Sequence, residues 1–512
     1  MSLSYKTPIT AKDGTLIPIF SNNQAMFSKY SPQKDAENFA SIPKDEPVQF
    51  FLVCGIGNGL HIKTLRQRFP KATILAIESS KENIEYLDNY FNLKKVIKEL
   101  DFSFCVADEI EDFLPKKYIP LLHGDFSMLP LRSWANAHPL QMNKITNGVK
   151  SALDKITSDA STQAHFGKIW HKNILQNILI LEKINKPLEL NPNKKISEAF
   201  IAAAGPSLDK SIHLLKDVNF RQNHFFIATD TALPCLLKNN IIPDVTVTID
   251  GQLASHKHFM QPLPKDMCII ADLCCNTSLV VHALKQGCDV MFFCGNHPLS
   301  LLFYSKILEN KKGTIPFLDT SAGTVTITAV ELALSLGFNK IKISGADFGY
   351  VHKKTYAKGT YFEDLFLSSS NRINPLIQKN ISLLYRQPLT QINSNFATTS
   401  TLKTYSENFE KYCLSKGLIH LETEKNGIKS YSQPTEFNRT TKKIKFELVQ
   451  NYEKEFIKWY ISALENKNNE IIPTILPFAA WYKKKNKYKN DIFLFLKLAY
   501  YQSVMYTSSH GK

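Results

Sequence analysis

Residues 198–215 read EAFIAAAGPSLDKSIHLL and combine an apolar run with a turn and an amphipathic helix pattern. The run 198–204 has the length and composition of a buried strand. Gly205 permits a tight turn, Pro206 suits the first position of a helix, and Ser207 is a common N-cap residue. The segment therefore predicts a strand that leads into a helix capped by Ser207, with N–H groups left over for a phosphate.

Six further apolar runs of strand length follow, separated by helix-like segments. They are HFFIAT (224–229), VTVTI (245–249), CIIA (268–271), DVMFF (289–293), IPFL (315–318) and IKIS (341–344). Their spacing, roughly 20 to 25 residues, is what a repeat of strand, turn, helix and turn requires. The pattern predicts an α/β fold with a central doubly wound, Rossmann-like sheet, in which ligands bind at the carboxyl ends of the strands.

The pattern changes on both sides of this region. Upstream, a strand, a glycine-rich loop, a helix and a second strand indicate a smaller α/β unit, and KPLELNPNKK (186–195) is typical of a linker. Downstream of residue 400, strand signals fade and helices rich in lysine and aromatic residues dominate. We predict an N-terminal arm at 1–45, a Rossmann-like domain with a helical end at 46–190, a central doubly wound domain at 195–400 and a C-terminal helical domain at 401–512.

The N-terminal loop GIGNG (55–59) follows a strand pattern, and Glu78 closes the next one. This arrangement has the shape of an S-adenosylmethionine methyltransferase fingerprint, in which the acidic residue binds ribose hydroxyls. The motif is short and common, and no catalytic group follows it. A degenerate Rossmann-like scaffold or an acceptor-binding domain is the favoured interpretation, and a working cofactor site is the alternative.

Composition restricts the class of protein. The hydrophobic fraction of 44% and the charged fraction of 21% are ordinary for a globular chain. The nine cysteines lie mostly in apolar stretches without a CxxC pair, which predicts reduced, buried thiols rather than disulfides or a zinc site. The N-terminus has no signal-peptide pattern and no apolar run approaches 18 residues, so we expect a cytoplasmic protein without a membrane span.

The formal net charge of +16 would suit a nucleic acid, an anionic membrane surface or a phosphorylated ligand. Much of the excess lies in residues 436–512, where scattered lysines are typical of a solvated helical surface. We therefore predict no nucleic-acid partner.

Polar residues follow several of the predicted strands. Asp230 and Asp250 follow the second and third, where each could meet a ribose hydroxyl or a base edge, or simply cap a helix. Ser321 and Gly323 stand at the mouth of the helix after the sixth strand, which Gly337 is expected to terminate.

The segment IKISGADFGY carries three more candidates at the end of the seventh strand, namely Gly345, Asp347 and Tyr350. His352 follows them closely, and an imidazole can accept a hydroxyl proton near neutral pH. His352 is therefore the predicted general base.

AAGPSL, followed far downstream by TSAG, an alanine-rich helix with LALSLGF, and ISGADF, resembles in order and spacing the sialyltransferases of glycosyltransferase family 42. It resembles still more the Maf (motility accessory factor) flagellin glycosyltransferases, whose central domain is of the MptE-like group. The match spans roughly residues 195–365, about a third of the chain.

The resemblance implies a nonulosonic acid donor activated with CMP, bound as a substrate without a separate cofactor, and transfer to serine or threonine of flagellin for flagellar assembly and motility. It places Asp230 and Asp250 where the sialyltransferases have asparagines that touch the nucleotide. Two tyrosines would hold the leaving phosphate, and Tyr350 and Tyr356 are the candidates, each displaced by one position from that pattern. The remaining pocket residues that it implies are Gly205, Pro206, Ser207, Ser321, Gly323, Gly345 and Asp347.

Two further functions remain open. A diphosphokinase that acts on a pterin alcohol, the activity of other MptE-like proteins, would need ATP and Mg²⁺ held by residues such as Asp230, Asp250 and Asp347. A non-enzymatic flagellin-binding protein is the third interpretation, and the sequence leaves oligomerisation open. For the glycosyltransferase we predict no bound metal, because a CMP donor carries a single phosphodiester charge and no DxD motif stands at a strand end.

Overall fold

The computed structural model describes residues 3–42, 48–184, 187–193, 196–321, 323–434, 442–486 and 491–508. The chain forms two compact units, one of Met1–His165 with Ala479–Ile492 and the other of Phe166–Phe478 with Phe493–Lys512. Both contain parallel sheets and helices, which confirms the predicted α/β class.

The first unit contains an antiparallel β-hairpin and a four-stranded parallel sheet of order β5-β4-β3-β6. Its strands are β1 (Tyr5–Thr10), β2 (Leu16–Phe20), β3 (Val48–Cys54), β4 (Thr73–Glu78), β5 (Ser103–Val106) and β6 (Asp125–Pro130). The helices that begin in it are α1 (Pro32–Phe39), α2 (Leu60–Arg68), α3 (Lys81–Phe91), α4 (Leu93–Leu100), α5 (Ile110–Lys117), α6 (Pro120–His123), α7 (Arg132–Ala137) and α8 (Pro139–Ile180). The predicted βαβ pattern is therefore β3, α2 and β4.

The second unit holds the remaining strands. They are β7 (Leu188–Leu190), β8 (Glu198–Ala202), β9 (His224–Thr229), β10 (Val245–Thr248), β11 (Cys268–Asp272), β12 (Asp289–Phe293), β13 (Gly313–Thr314), β14 (Lys340–Ser344), β15 (Tyr350–Val351), β16 (Thr390–Asn393), β17 (Phe396–Thr398), β18 (Ile419–Lys425), β19 (Ile428–Ser432) and β20 (Ile444–Leu448). Within the predicted linker 186–195, residues 186, 194 and 195 lie outside the described residues, and β7 lies between them.

Most helices of the second unit connect these strands. They are α9 (Leu208–Leu215), α10 (Val218–Asn223), α11 (Leu233–Lys238), α12 (Leu253–His256), α13 (Thr277–Lys285), α14 (Pro298–Glu309), α15 (Val325–Ser335), α16 (Tyr361–Ser368), α17 (Leu376–Leu384) and α18 (Ser400–Ser415). The C-terminal helices are α19 (Tyr452–Glu465), α20 (Ile472–Asn486) and α21 (Ile492–Ser508), and the last two include residues of both units.

The central sheet has eight strands in the order β12-β11-β10-β9-β8-β14-β19-β18, and the six from β12 to β14 are mutually parallel. The chain steps from β8 to β12 in one direction and then returns to add β14 on the other side of β8. Because such crossovers are right-handed, this reversal places the return helix α15 on the opposite face from the earlier helices. The sheet is therefore doubly wound, as predicted, and β8 and β14 flank its switch point.

One predicted strand is wrong. IPFL (315–318) forms only an isolated bridge, between Phe317 and Cys294. Pro316 has no N–H group to continue a ladder, and its carbonyl oxygen accepts a single hydrogen bond from the Cys294 N–H (2.9 Å). The apolar run therefore passes the edge of the sheet without joining it as a strand.

The sequence analysis also missed three strands after residue 400, namely β18, β19 and β20. β18 and β19 form a hairpin that extends the central sheet, with β19 antiparallel to β14. Asn426 and Gly427 connect them with φ values of 56° and 73°, the left-handed pair that a two-residue hairpin turn requires. Asn-Gly is the strongest short-range hairpin signal, so this feature was available in the sequence.

The thiols are as the sequence predicts. All nine cysteines are unpaired, and all are buried except the partly exposed Cys268. Burial raises the pKa of Cys54, Cys235 and Cys413 to about 12, so these thiols stay protonated and unreactive near neutral pH. Among the described helices, none has the length and apolar character needed to cross a membrane.

Candidate active site

The loops that follow β8 and β14 pack directly on each other. The Ala203 N–H donates to the Ser344 carbonyl oxygen and the Gly205 N–H to that of Gly345, both at 2.8 Å. A Cβ atom on Gly205 would lie within 3.0 Å of the Gly345 carbonyl and of the Asp347 carboxylate, closer than real Cβ atoms come. Gly205 is therefore needed for the close approach of two loops, which is a packing role beyond the predicted tight turn.

Asp347 occupies the N-terminus of α9. The Ser207 N–H donates to Asp347 Oδ2 (2.9 Å), and Ser207 Oγ accepts from the Gly345 N–H (2.9 Å) instead of from its own helix. The prediction that the Ser207 side chain caps α9 is therefore wrong, because a carboxylate from the neighbouring strand end fills that position. Burial raises the pKa of Asp347, while the Ser207 N–H and the positive charge of Lys429 oppose that rise.

We define Gly205, Ser207, Gly345 and Asp347 as the switch-point cluster. The β18–β19 hairpin, which the sequence analysis missed, packs against this cluster. A Cβ atom on Gly427 would lie 2.7 Å from the Ser207 carbonyl oxygen, so the turn between β18 and β19 lies against the start of α9. Residues beyond 400 therefore contribute to the site.

Asp230 and Asp250, predicted at two strand ends, come together with a residue that the sequence analysis did not single out. Asp230 is buried and accepts hydrogen bonds from the Thr231 N–H (2.6 Å) and from Thr248 Oγ1 (2.9 Å). Asp250 accepts from the Gln252 N–H (2.9 Å), and burial raises its pKa. Both carboxylates act electrostatically on the buried ring of His258, and we call these three residues the histidine cluster.

Tyr350 and Tyr356 lie near each other on the segment after β14. The Ala357 N–H donates to the Ala204 carbonyl oxygen (2.9 Å), which holds this segment against the β8 loop. The Tyr356 ring stacks on Phe362, with centroids 4.5 Å apart and planes 7° apart. Burial raises the pKa of both tyrosines, and neither hydroxyl has a hydrogen-bond partner among the residues that the structure describes. Both phenols are therefore protonated and available as donors.

His352 stands apart from these groups. It lies on an exposed turn with φ of 49°, where its N–H donates to the Asn395 carbonyl oxygen (2.7 Å). Within the described part of the chain, no carboxylate contacts its imidazole. Its assignment as general base stays a prediction, and the structure presents His258 as a second candidate.

Ser321 and Gly323 lie on an exposed loop before α15, and Ala322 between them lies outside the described residues. The cap of α15 is Thr324, whose hydroxyl accepts from the Ile327 N–H (3.3 Å). The preceding Thr320 N–H donates to Asn296 Oδ1 (2.6 Å), which ties this loop to the end of β12. No hydrogen bond between described residues joins the loop to the switch-point cluster, so its place in the predicted pocket stays a prediction.

The GIGNG loop of the first unit is filled by the chain itself. Glu78 Oε1 accepts from the Trp134 indole N–H (2.8 Å) and from the Ser79 N–H (2.8 Å). Its Oε2 accepts from the Ile56 N–H and from the Tyr5 hydroxyl, both at 3.3 Å. The carboxylate that would bind a ribose is thus fully buried and occupied by internal donors. This geometry supports the degenerate scaffold over a cofactor site.

We expect Glu78→Ala to destabilise the protein by about 3 kcal/mol, because it leaves several buried donors without an acceptor. Glu85→Ala, on the exposed face of α3, is the matched control and should change stability by less than about 0.5 kcal/mol. Urea titration measures both. Stabilisation of the wild-type chain by S-adenosylmethionine would contradict the structural role of this loop.

Among the described residues, no three His, Cys, Asp or Glu side chains are grouped so that they could hold a metal ion. Asp230 and Asp250 are neighbours, but Asp347 bonds to Ser207 in the other cluster. The set of three carboxylates predicted for a Mg²⁺ site is therefore not assembled.

The fold and site define an α/β protein with a doubly wound central sheet and two clusters of polar residues that follow its parallel strands. Residues 172–353 match the family model described as 6-hydroxymethylpterin diphosphokinase MptE-like, which confirms the MptE-like resemblance over that segment. The matched range contains the switch-point cluster, the histidine cluster, Tyr350 and His352.

Sequence relatives extend the similarity beyond that segment. An uncharacterized protein of Treponema pallidum (strain Nichols) is 27% identical over 297 residues, which cover 57% of this chain and 95% of that protein. A second uncharacterized protein of the same organism is 35% identical over 139 residues, 27% of this chain and 64% of its own. The structure of a Maf glycosyltransferase from Magnetospirillum magneticum AMB-1 aligns with 98% of this chain and 87% of its own, at 14% identity and a TM-score of 0.47.

Proposed function

We propose that this chain is a glycosyltransferase that moves a nonulosonic acid from a CMP-activated donor to serine or threonine of flagellin, in the cytoplasm. The order of the AAGPSL, TSAG and ISGADF motifs supports the class, and the MptE-like match covers the segment that carries them. The observation that carries the proposal is the pair of protonated, unpartnered tyrosine hydroxyls beside the switch point.

The tyrosines suit the leaving group of a CMP donor. When the glycosidic bond breaks, the phosphate oxygen gains negative charge, and donors already in position stabilise that charge without reorganising. The Ala357–Ala204 hydrogen bond and the bond from the Lys358 N–H to Asp209 Oδ1 (2.8 Å) hold the tyrosine segment on the start of α9. Because a single phosphodiester charge needs less counter-charge than a diphosphate, we propose that transfer needs no divalent metal.

Ligand-induced stabilisation tests the proposal. We expect CMP at 100 times its dissociation constant to stabilise the chain by about 2.7 kcal/mol, with or without EDTA. Transfer from a CMP-linked sugar to flagellin should also survive EDTA. Strict dependence of transfer on a divalent ion, or stabilisation by ATP with Mg²⁺ but not by CMP, would contradict the proposal.

Stabilisation by ATP with Mg²⁺ but not by CMP would favour a diphosphokinase, the activity named in the description of the matching family model. The neighbouring carboxylates Asp230 and Asp250 are the observation in its favour, because two carboxylates and substrate phosphates suffice for many Mg²⁺ sites. Thr231 and Thr248 already bond both oxygens of Asp230, which leaves that carboxylate less free for a metal.

A further inference from the structure

His258 is a buried histidine whose ring makes no hydrogen bond to any residue that the structure describes. It lies in the short 3-10 turn Lys257–Phe259 after α12 and is 8% exposed. Its ring centroid is 6.0 Å from those of Tyr361 and Phe362. The Nδ1 atom is enclosed without a hydrogen-bond partner, and Nε2 likewise bonds to none of the described residues.

Most buried polar side chains are hydrogen-bonded, although His61, His171, His282 and His297 also have one enclosed ring nitrogen without a partner among the described residues. His258 in addition faces the charges of two carboxylates. A bound ligand can supply the missing partner. Phe362 contacts this ring and also stacks on Tyr356. It therefore links His258 to the tyrosine that we propose holds the leaving phosphate.

The carboxylates of the histidine cluster suit proton transfer. Burial lowers the pKa of His258, so the imidazole is neutral and can accept a proton at neutral pH. Asp230 and Asp250 oppose that shift, because their negative charges stabilise the imidazolium once it forms. The bonds from Thr231 and Thr248 keep the Asp230 carboxylate in one orientation. The arrangement combines a neutral base with charges that stabilise its protonated form.

We propose that His258 is the general base that takes the proton of the acceptor hydroxyl, an inference that rests on the glycosyltransferase function proposed above. As the acceptor oxygen bonds to the anomeric carbon of the sugar, the bond from that carbon to the phosphate oxygen breaks. The bonding pair leaves with CMP, and the hydroxyl proton passes to the imidazole. His258 later releases this proton to solvent.

Other titratable groups lie on the elements that pack against this turn. They are Lys238 on α11, His256 on α12, His282 on α13 and Tyr361 on α16. Lys238 pairs with Asp364 (2.5 Å), and His256 and His282 face each other with ring centroids 5.4 Å apart. Asp230 and Asp250 are the groups that oppose the effect of burial on His258.

Single-turnover transfer from a CMP-linked sugar, measured between pH 5.5 and 8.5, tests the proposal. We expect His258→Gln to slow the chemical step by about 10²- to 10⁴-fold, the usual range for a general base. The dissociation constant of CMP should change less than about threefold. The fall in rate at acidic pH should also disappear, and His213→Gln on the exposed side of α9 should behave as wild type.

Asp250→Asn provides a second test that does not need the histidine variant to fold. Removing one negative charge should lower the pKa of His258, so the acidic fall in rate should move to lower pH. An unmoved profile, a His258→Gln rate within about fivefold of wild type, or a large loss in His352→Gln instead would overturn the assignment. In each of these outcomes the wild type still transfers sugar, whereas an inactive wild type that does not bind CMP would overturn the proposed function itself.

Discussion

We expect Gly345→Ala to destabilise the second unit by more than about 4 kcal/mol, an exceptional effect for the addition of one methyl group. Gly345 has φ of 79°, and a Cβ atom there would collide with the backbone carbonyl of Ala203. That carbonyl belongs to the loop after β8, which is bonded to the loop after β14 and cannot retreat without separating the two. The added methyl group would therefore disrupt the packing of the two loops at the switch point of the sheet.

Gly323→Ala is the matched control. Gly323 has nearly the same φ, 75°, but apart from its two chain neighbours no atom of the described residues lies within 4 Å of the position its Cβ would take. Only the intrinsic cost of a left-handed alanine applies, about 1 to 2 kcal/mol. In calorimetry of the full chain, the Gly345 variant should lose on the order of 10 °C and the Gly323 variant only a few degrees. Equal losses would show that the loops do not constrain each other.

We expect the double variant Tyr350→Phe/Tyr356→Phe to slow transfer about 10³-fold, in line with the loss of donors that stabilise a transition state. Phenylalanine keeps both rings, including the stack on Phe362, and removes only the hydroxyl groups. The chemical step should therefore be slowed while the fold is kept. Single-turnover rates and CMP dissociation constants separate the two effects.

Tyr385→Phe, which removes an exposed hydroxyl on the residue directly after α17, is the control and should leave the rate unchanged. A double variant within about threefold of the wild-type rate would show that other groups stabilise the leaving phosphate. An equal loss in CMP affinity would instead assign the tyrosines to ground-state binding.

Gly205 has a packing role that could not be predicted from its local sequence. A glycine-proline-serine turn after a strand predicts a phosphate loop, and a Gly205→Val variant that folds but does not bind nucleotide follows from that prediction. In the structure, any side chain at this position meets the Gly345 carbonyl and the Asp347 carboxylate. Gly205→Val should therefore disturb the fold as well, and it is a poor probe of binding.

The sequence by itself determined the parallel strands from β8 to β12 and β14, the positions of the loops at their ends, and the burial of the thiols. Apolar runs, glycine and proline act over a few neighbouring residues, so these features can be recognised locally. The Asn-Gly turn of the β18–β19 hairpin was equally local and could have been found. The prediction of a strand at IPFL was wrong because its proline has no N–H group with which to continue a ladder of hydrogen bonds.

Only the tertiary structure decided which distant groups meet. Asp347 lies at the start of α9, across 140 residues of chain, because β14 is added beside β8 after a return crossover. His258 is a candidate base only because the carboxylates Asp230 and Asp250 and the aromatic rings of α16 surround it. The residues next to His258 in the sequence do not indicate this environment of carboxylates and aromatic rings. Contacts between strand ends follow from the order of strands in the sheet, which is set by packing over the whole unit and is not encoded in any short motif.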